Sequence, residues 1–180
     1  MIVDPAIFYK DEDDASRLLR LYSAAEIASA AAEFLNRWEQ REYLDEEAIE
    51  HCGLICGLSK CVSIDIAATK WVRASVSKPR FIIGCWFLYG YWRHVPRIDV
   101  GACEFVLSAV SSRKQDEDQY GAALLCLSAL SRRADVAGLA SVRGQTRAFL
   151  RKELRDADRK GGLRGIWATV EESIPVSDTL

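Results

Sequence analysis

Four residues between positions 51 and 61 have side chains of the types that bind metal ions: His51, Cys52, Cys56 and Cys61. Structural zinc sites use four ligands, usually supplied as closely spaced cysteine pairs on turns. Cys52 and Cys56 would share one face of a helix, but His51 is turned away from Cys52 by about 100°. The chain has no second pair of this kind. We therefore predict no metal site and no cofactor, and we interpret the cysteines as small apolar core residues.

A cysteine nucleophile needs a base close to its sulfur, and Cys85 with His94 is the one spacing worth testing. On one helix these residues would lie on different faces and about 13 Å apart along the axis, which does not make a dyad. The chain has no phosphate-binding glycine loop, dinucleotide fingerprint or nucleophile elbow. We predict that the protein is not an enzyme, and we keep an enzyme of unfamiliar type as the third hypothesis.

The most suggestive polar feature is a series of five arginines, each four residues after the last: Arg143, Arg147, Arg151, Arg155 and Arg159. On a helix each step of four residues turns by about 40°, so the five would form a ridge along one side. Such a ridge would contact an acidic protein surface or the phosphates of a nucleic acid. Acidic residues lie between these arginines in the sequence. The alternative is therefore that the ridge is an outer face exposed to solvent and binds no partner. We predict partner binding, with an acidic protein surface first and nucleic acid second.

An aromatic segment between residues 86 and 94 is the second candidate for binding. Most of its side chains are expected in the core, because the helix that carries them is apolar all the way round. Trp92 and Arg93 lie near the end of that helix, and we predict that they reach an exposed groove as binding anchors.

Composition and charge exclude several classes of protein. The chain has 180 residues, of which 49% are hydrophobic and 28% charged, as in a globular protein. Its longest nearly apolar run, residues 81–92, is short of the about 20 residues that cross a membrane. A start without a secretory leader, together with thiols used as core residues, predicts a cytoplasmic protein. Residues 1–50 carry 13 acidic and 5 basic side chains, and residues 51–180 carry 13 acidic and 19 basic.

A repeat organises the elements that would position these residues. Residues 64–76 resemble residues 98–110 position by position at an offset of 34, and a weaker third copy begins at Ala134, 36 residues further on. A period of this size is typical of stacked helical hairpins. Asp65, Asp99 and Asp135 fall at equivalent places and are predicted to cap the second helix of each hairpin. The pattern lacks the tryptophan–glycine–tyrosine signature of tetratricopeptide units, and we assign no family.

We therefore predict an all-α protein, a short α-solenoid-like stack of antiparallel helical hairpins with eight or nine helices in a single domain, 1–180. Its expected parts are an N-terminal tail (1–10), a first hairpin (11–44), three repeat-like hairpins (45–78, 79–114 and 115–160), and a closing helix and tail (161–180). A capping box at Ser23 predicts a break in the first hairpin, and one continuous helix over residues 13–41 is the alternative. Gly53 and Gly57, one turn apart, predict a close packing partner there.

The function predicted from these features is non-catalytic protein binding. A neutraliser of the immunity or antitoxin kind, or an adaptor, would act through the groove of the stack or through the arginine-rich helix. A helical-repeat protein that binds nucleic acid is the alternative. The sequence leaves the oligomeric state open.

Overall fold

A computed structural model of the protein describes residues 4–9, 15–38, 45–60, 79–112, 116–136, 138–157 and 163–174. Within these ranges the chain forms one 3-10 helix, Pro5–Tyr9, and eight α-helices, and it has no strand. The α-helices are α1 (Ala15–Leu21), α2 (Ala24–Trp38), α3 (Glu46–Leu58), α4 (Pro79–Trp92), α5 (Val100–Ser112), α6 (Glu117–Arg132), α7 (Ala140–Ala157) and α8 (Arg164–Glu172). The predicted all-α fold class is confirmed.

The chain divides into two compact units, Met1–Pro96 and Arg97–Leu180. The 3-10 helix and α1–α4 belong to the first unit, and α5–α8 belong to the second. Within each unit the contacts between helices are consistent with the predicted helical stack. The single domain and the hairpin boundaries stay predictions.

The break between α1 and α2 is a capping box at Ser23, as predicted. The Glu26 carboxylate accepts hydrogen bonds from the backbone N–H of Ser23 at 2.9 Å and from its hydroxyl at 2.8 Å. The Ser23 hydroxyl in turn accepts from the backbone N–H of Glu26 at 3.3 Å. The backbone hydrogen bond from Ser23 is the main reason that the pKa of Glu26 is lowered. Reciprocal bonds of this kind satisfy donors that a helix start leaves open.

The N-terminal segment is more ordered than the predicted tail. Residues Pro5–Tyr9 form the 3-10 helix, in which Ile7 and Phe8 are buried. Phe8 packs on Phe34 of α2 with ring centroids 5.0 Å apart, and the segment also contacts α3. It therefore docks on α2 and α3.

The centre of the first unit is the crossing of α3 and α4, where three glycines bring the two backbones into contact. A Cβ atom on Gly53 would lie 2.0 Å from the carbonyl oxygen of Phe87, and one on Gly90 would lie 2.1 Å from that of Glu50. A Cβ on Gly57 would lie 2.7 Å from the carbonyl oxygen of Tyr91. The close packing predicted at Gly53 and Gly57 is confirmed.

The residue pairs that meet at this crossing have the same separation in the sequence as the predicted repeat. Gly53 meets Phe87 and Gly57 meets Tyr91, and each pair is separated by the offset of 34 found in the sequence. The first copy of the repeat, residues 64–76 with its cap Asp65, lies outside the described residues. The repeat therefore stays a prediction.

In the second unit α6 is the central helix, and it packs against α5, α7 and α8. Asp116 caps it by accepting from the backbone N–H of Gln119 at 2.9 Å. Asp99, a predicted cap, stands just before α5 and accepts from the backbone N–H of Gly101 at 2.9 Å. The predicted cap at Asp135 is wrong, because α7 begins five residues later at Ala140 and the Asp135 carboxylate is held by Arg133.

Candidate functional site: an arginine cluster at the end of α6

Helix α7 carries four of the five arginines of the predicted ridge, and Arg159 lies outside the described residues. Arg143, Arg147 and Arg151 are half-buried, whereas Arg155 is exposed. The ridge is therefore not one uniform face, since its N-terminal half packs against the protein.

Arg143 and Arg147 turn onto the C-terminal end of α6. Nη1 of Arg143 donates to the carbonyl oxygen of Arg133 at 2.8 Å. Nε and Nη2 of Arg147 donate to the carbonyl oxygen of Ser131 at 3.2 and 2.8 Å. The last carbonyl groups of a helix have no partner within it and carry partial negative charge, so cations are stabilising there. These two arginines act as side-chain caps of α6.

Two more arginines at the same helix end were not among the predicted site residues. Nε and Nη2 of Arg133 each donate to one Asp135 carboxylate oxygen at 2.8 Å, which is the two-pronged geometry of a strong ion pair. Nη2 of Arg132 donates to the carbonyl oxygen of Thr169 at 3.3 Å and lies 3.6 Å from the Glu172 carboxylate. The sequence could have indicated them, because both are basic residues at the C-terminal end of an apolar helix, where positive charge is favourable. We call Arg132, Arg133, Arg143 and Arg147 the arginine cluster.

Two carboxylates, those of Asp135 and Glu172, form ion pairs with the arginine cluster. The backbone carbonyl groups accept hydrogen bonds from its arginines without neutralising a guanidinium. The hydrogen bond from Arg133 is the main reason that the pKa of Asp135 is lowered, and the charge of Arg143 adds to it. Both carboxylates are largely exposed, at 70% and 75%, so water screens them well.

Beyond the arginine cluster, the character of α7 changes. Lys152 and Arg155 are exposed, which fits the alternative of a solvated outer face for this part of the ridge. Glu153 points inward, where it is 8% exposed and accepts a hydrogen bond from the Tyr120 hydroxyl of α6. The Tyr120 ring packs edge-on against Trp167 of α8 at 6.3 Å. This inner face is part of the core of the second unit.

The aromatic segment of α4 divides between core and surface. Phe87, Tyr91 and Trp92 have no solvent exposure. The exposed position predicted for Trp92 is therefore wrong, because its side chain is fully buried, and its role in partner binding stays a prediction. Arg93 is half-buried, and its Nη1 pairs with Oε1 of Glu50 at 2.8 Å.

Among the described residues, the candidates for metal binding and catalysis do not assemble into a site. Nδ1 of His51 lies 3.3 Å from the carbonyl oxygen of Phe8, and Cys61 is outside the described residues. Burial raises the pKa of the Cys52 thiol, which opposes formation of a thiolate. Cys85 is buried whereas His94 is exposed. Among the residues that the structure describes, no three His, Cys, Asp or Glu side chains converge as metal ligands.

Two general findings complete the description. None of the described helices combines the length and the apolar character needed to cross a membrane. Comparison with protein-family models, with curated proteins and with solved structures finds no match for this chain. The arginine cluster is thus the candidate site that rests on the most detailed geometry.

Proposed function

We propose that the protein is a non-catalytic binding protein that holds a partner protein by an acidic surface of that partner. The arginine cluster is its contact site. A neutraliser of another protein or an adaptor would work in this way, on a scaffold of helical repeats in the cytoplasm. The five described cysteines are buried, which agrees with thiols used as small core residues in a reducing compartment.

The observation that carries this proposal is the ordering of the arginines by backbone carbonyl groups. A free arginine side chain has about 2 kcal/mol of rotamer entropy, and a partner that immobilises it must overcome that loss. In this protein Ser131 and Arg133 already hold Arg147 and Arg143 in place through their carbonyl oxygens. A carboxylate of the partner therefore binds guanidinium groups that are already ordered in the folded protein. Less rotamer entropy is then lost on binding.

The exposure of the cluster fits a docking role. The Arg132 side chain is 42% exposed, and Arg143 and Arg147 are half-buried, so charge and solvent access occur together. A guanidinium has five N–H donors in a planar fork that matches a carboxylate. Charge complementarity of this kind favours a correct partner over a wrong one and accelerates the encounter.

The distribution of charge supports a protein partner over nucleic acid. Proteins that follow a nucleic-acid backbone present a basic stripe along a helix or across a face. Here the positive charge is gathered at one end of α6, and two exposed carboxylates, Asp135 and Glu172, lie within it. A mixed cluster of this type suits the mixed charge of a protein surface.

Affinity capture with the full chain as bait tests the proposal. The bait carries Arg132→Gln and Arg143→Gln in one variant, and Lys152→Gln and Arg155→Gln in a control variant that loses the same charge from the exposed part of α7. Lysate of the source cells is treated with nuclease, and the bound proteins are quantified by mass spectrometry. We expect the wild-type and control baits to capture one acidic protein, and the cluster variant to lose most of it.

Binding of the purified partner is then measured at two salt concentrations, and thermal unfolding shows that each bait is folded. Equal capture by the cluster and control variants would refute the proposed site. A parallel capture from lysate that is not treated with nuclease tests the alternative: recovery of nucleic acid alone, with an affinity that falls steeply as salt rises, would assign the protein to the nucleic-acid-binding class instead. Turnover of the partner or of a small molecule in the complex would contradict the non-catalytic role.

A further inference from the structure

One stripe that runs along α4 to the residue just after it is half-buried, although residues 81–92 of the helix are otherwise buried. The stripe consists of residues four, three and four positions apart, which places them on one face of the helix. They are Ile82, Trp86, Tyr89 and Arg93. Large aromatic side chains left partly exposed on a helix are typical of contact surfaces, where tryptophan, tyrosine and arginine are the commonest strong contributors to binding.

The guanidinium of Arg93 is the cation at the centre of this surface, and aromatic and acidic side chains lie around it. The rings of Trp86 and Tyr89 meet edge to face with centroids 6.2 Å apart. The Arg93 guanidinium carbon lies 5.4 Å from the centroid of the Tyr89 ring. Its Nη1 also lies 2.8 Å from Oε1 of Glu50 in α3, and the two charged side chains are 34% and 24% exposed. The surface thus holds a guanidinium between an aromatic ring and a carboxylate.

We propose that this surface, formed by Glu50, Trp86, Tyr89 and Arg93 and called here the acidic–aromatic face, docks a segment of a partner protein that bears arginine or lysine. The incoming cation takes the position over Tyr89 and beside Glu50 that Arg93 occupies in the free protein. Aromatic faces attract cations through the negative potential of the ring, and tryptophan does so most strongly.

The charge of the surrounding region favours a basic occupant. Asp45, Glu46 and Glu47 are exposed in and just before the first turn of α3, the helix that supplies Glu50. The first unit as a whole, residues 1–96, carries 14 acidic and 11 basic side chains, and 13 of the acidic ones lie in residues 1–50. The acidic start of α3 would attract an arginine or lysine segment and repel an acidic one.

Displacement of Arg93 gives this proposal a signature that an ordinary structural ion pair lacks. Removing Glu50 takes away the carboxylate that the incoming cation needs, so binding weakens. Removing Arg93 takes away the internal competitor and one repelling charge, so binding strengthens. A surface ion pair that served only folding would instead show no effect of either change on binding of a peptide.

The experiment follows the indole N–H signals of the full-length protein by NMR while a peptide is added. The probe is a nine-residue peptide, acetylated and amidated, in which four arginines alternate with serines. Peptides with lysine or glutamate in place of arginine are compared with it. The Trp86 signal is assigned by its loss in Trp86→Phe, and each variant is checked for folding by thermal unfolding.

We expect the arginine and lysine peptides to shift the Trp86 signal selectively, and the glutamate peptide to leave it unchanged. Glu50→Gln should weaken the binding of the arginine peptide roughly three- to fivefold, as expected for one partly exposed charge pair. Arg93→Gln should strengthen it by a similar factor. Arg80→Gln, an exposed site on α4 about 20 Å from Arg93 along the helix, is the charge-matched control and should give a much smaller gain.

Three results would overturn the proposal. The first is no selective shift of the Trp86 signal at millimolar peptide. The second is an equal response to the glutamate peptide, and the third is weaker binding in Arg93→Gln. Since the acidic–aromatic face belongs to the first unit and the arginine cluster to the second, these results would leave the proposed acidic partner of the cluster unaffected.

Discussion

Replacing Gly53 by alanine is the most direct test of the packing between α3 and α4. The added Cβ would lie 2.0 Å from the Phe87 carbonyl oxygen, and 3.0 Å from both the Phe87 carbonyl carbon and the Tyr91 nitrogen. These are backbone atoms of a regular helix, so none of them can move away alone. The two helices would have to separate by more than 1 Å, about the difference between 2.0 Å and an ordinary contact of roughly 3.4 Å.

Two opposing effects set the magnitude. Alanine is a better helix former than glycine by about 1 kcal/mol, which by itself would stabilise α3. Overpacking a tight core contact typically costs about 1–3 kcal/mol and more where the backbone must shift. The separation also loosens the neighbouring contacts that Gly57 and Gly90 make across the same crossing. We expect Gly53→Ala to lower the free energy of unfolding by roughly 2–4 kcal/mol.

Gly144→Ala is the matched control, because Gly144 is an exposed interior residue of α7 and a Cβ there would meet nothing within 4 Å. Only the helix propensity then changes, and we expect stabilisation by about 0.5–1 kcal/mol. Chemical denaturation of both variants, followed by the fluorescence of tryptophans such as Trp92 and by circular dichroism, gives the two free energies. If Gly53→Ala were as stable as Gly144→Ala, the inference that the two backbones touch would be wrong.

Three further predictions concern Tyr120 and Ser23. Tyr120→Phe removes a hydrogen-bond donor from the buried carboxylate of Glu153, and denaturation should show a loss of about 1–3 kcal/mol. Burial and the bond to Glu153 raise the pKa of Tyr120, so its contribution to stability is complete below the unfolded pKa of about 10 and is lost as the pH rises further. Absorbance at alkaline pH should therefore show one more tyrosine that ionises only on unfolding in the wild type than in Tyr120→Phe. Ser23→Ala removes the cap of α2 and should cost about 1 kcal/mol, with faster hydrogen exchange in its first turn.

Local hydrogen bonds explain which parts of the fold could be predicted from the sequence. The caps at Ser23, Asp45 and Asp116 join a side chain to a backbone N–H three residues later. A short stretch of sequence contains both partners, so the prediction needs no knowledge of the fold. Gly53 and Gly57 were informative for a similar reason, because a glycine inside a soluble helix is unfavourable unless a neighbour packs closely on it.

The parts that could not be predicted depend on hydrogen-bond partners distant in the sequence, or on competition between two possible partners of one side chain. Arg147 reaches a carbonyl group 16 residues earlier, and nothing in the spacing of the ridge shows that α7 turns this side toward the end of α6. Aspartate is a residue type that commonly caps helices. The Asp135 carboxylate nevertheless binds the guanidinium of Arg133, two residues before it, which is a stronger hydrogen-bond partner than a backbone N–H. Trp92 lies at the end of α4, where the sequence alone could not decide between a groove and the core that buries it.

The capping role of the arginine cluster and its proposed binding role are compatible for an electrostatic reason. A carbonyl oxygen that accepts from Arg143 or Arg147 uses part of the donor capacity of the guanidinium and leaves its full charge in place. The same contacts fix the orientation of that charge relative to α6. Helix capping thus orders positive charge at a surface that remains partly open to solvent. A carboxylate of a partner could then gain from the cluster without disturbing the caps, whereas a neutral partner surface would gain little.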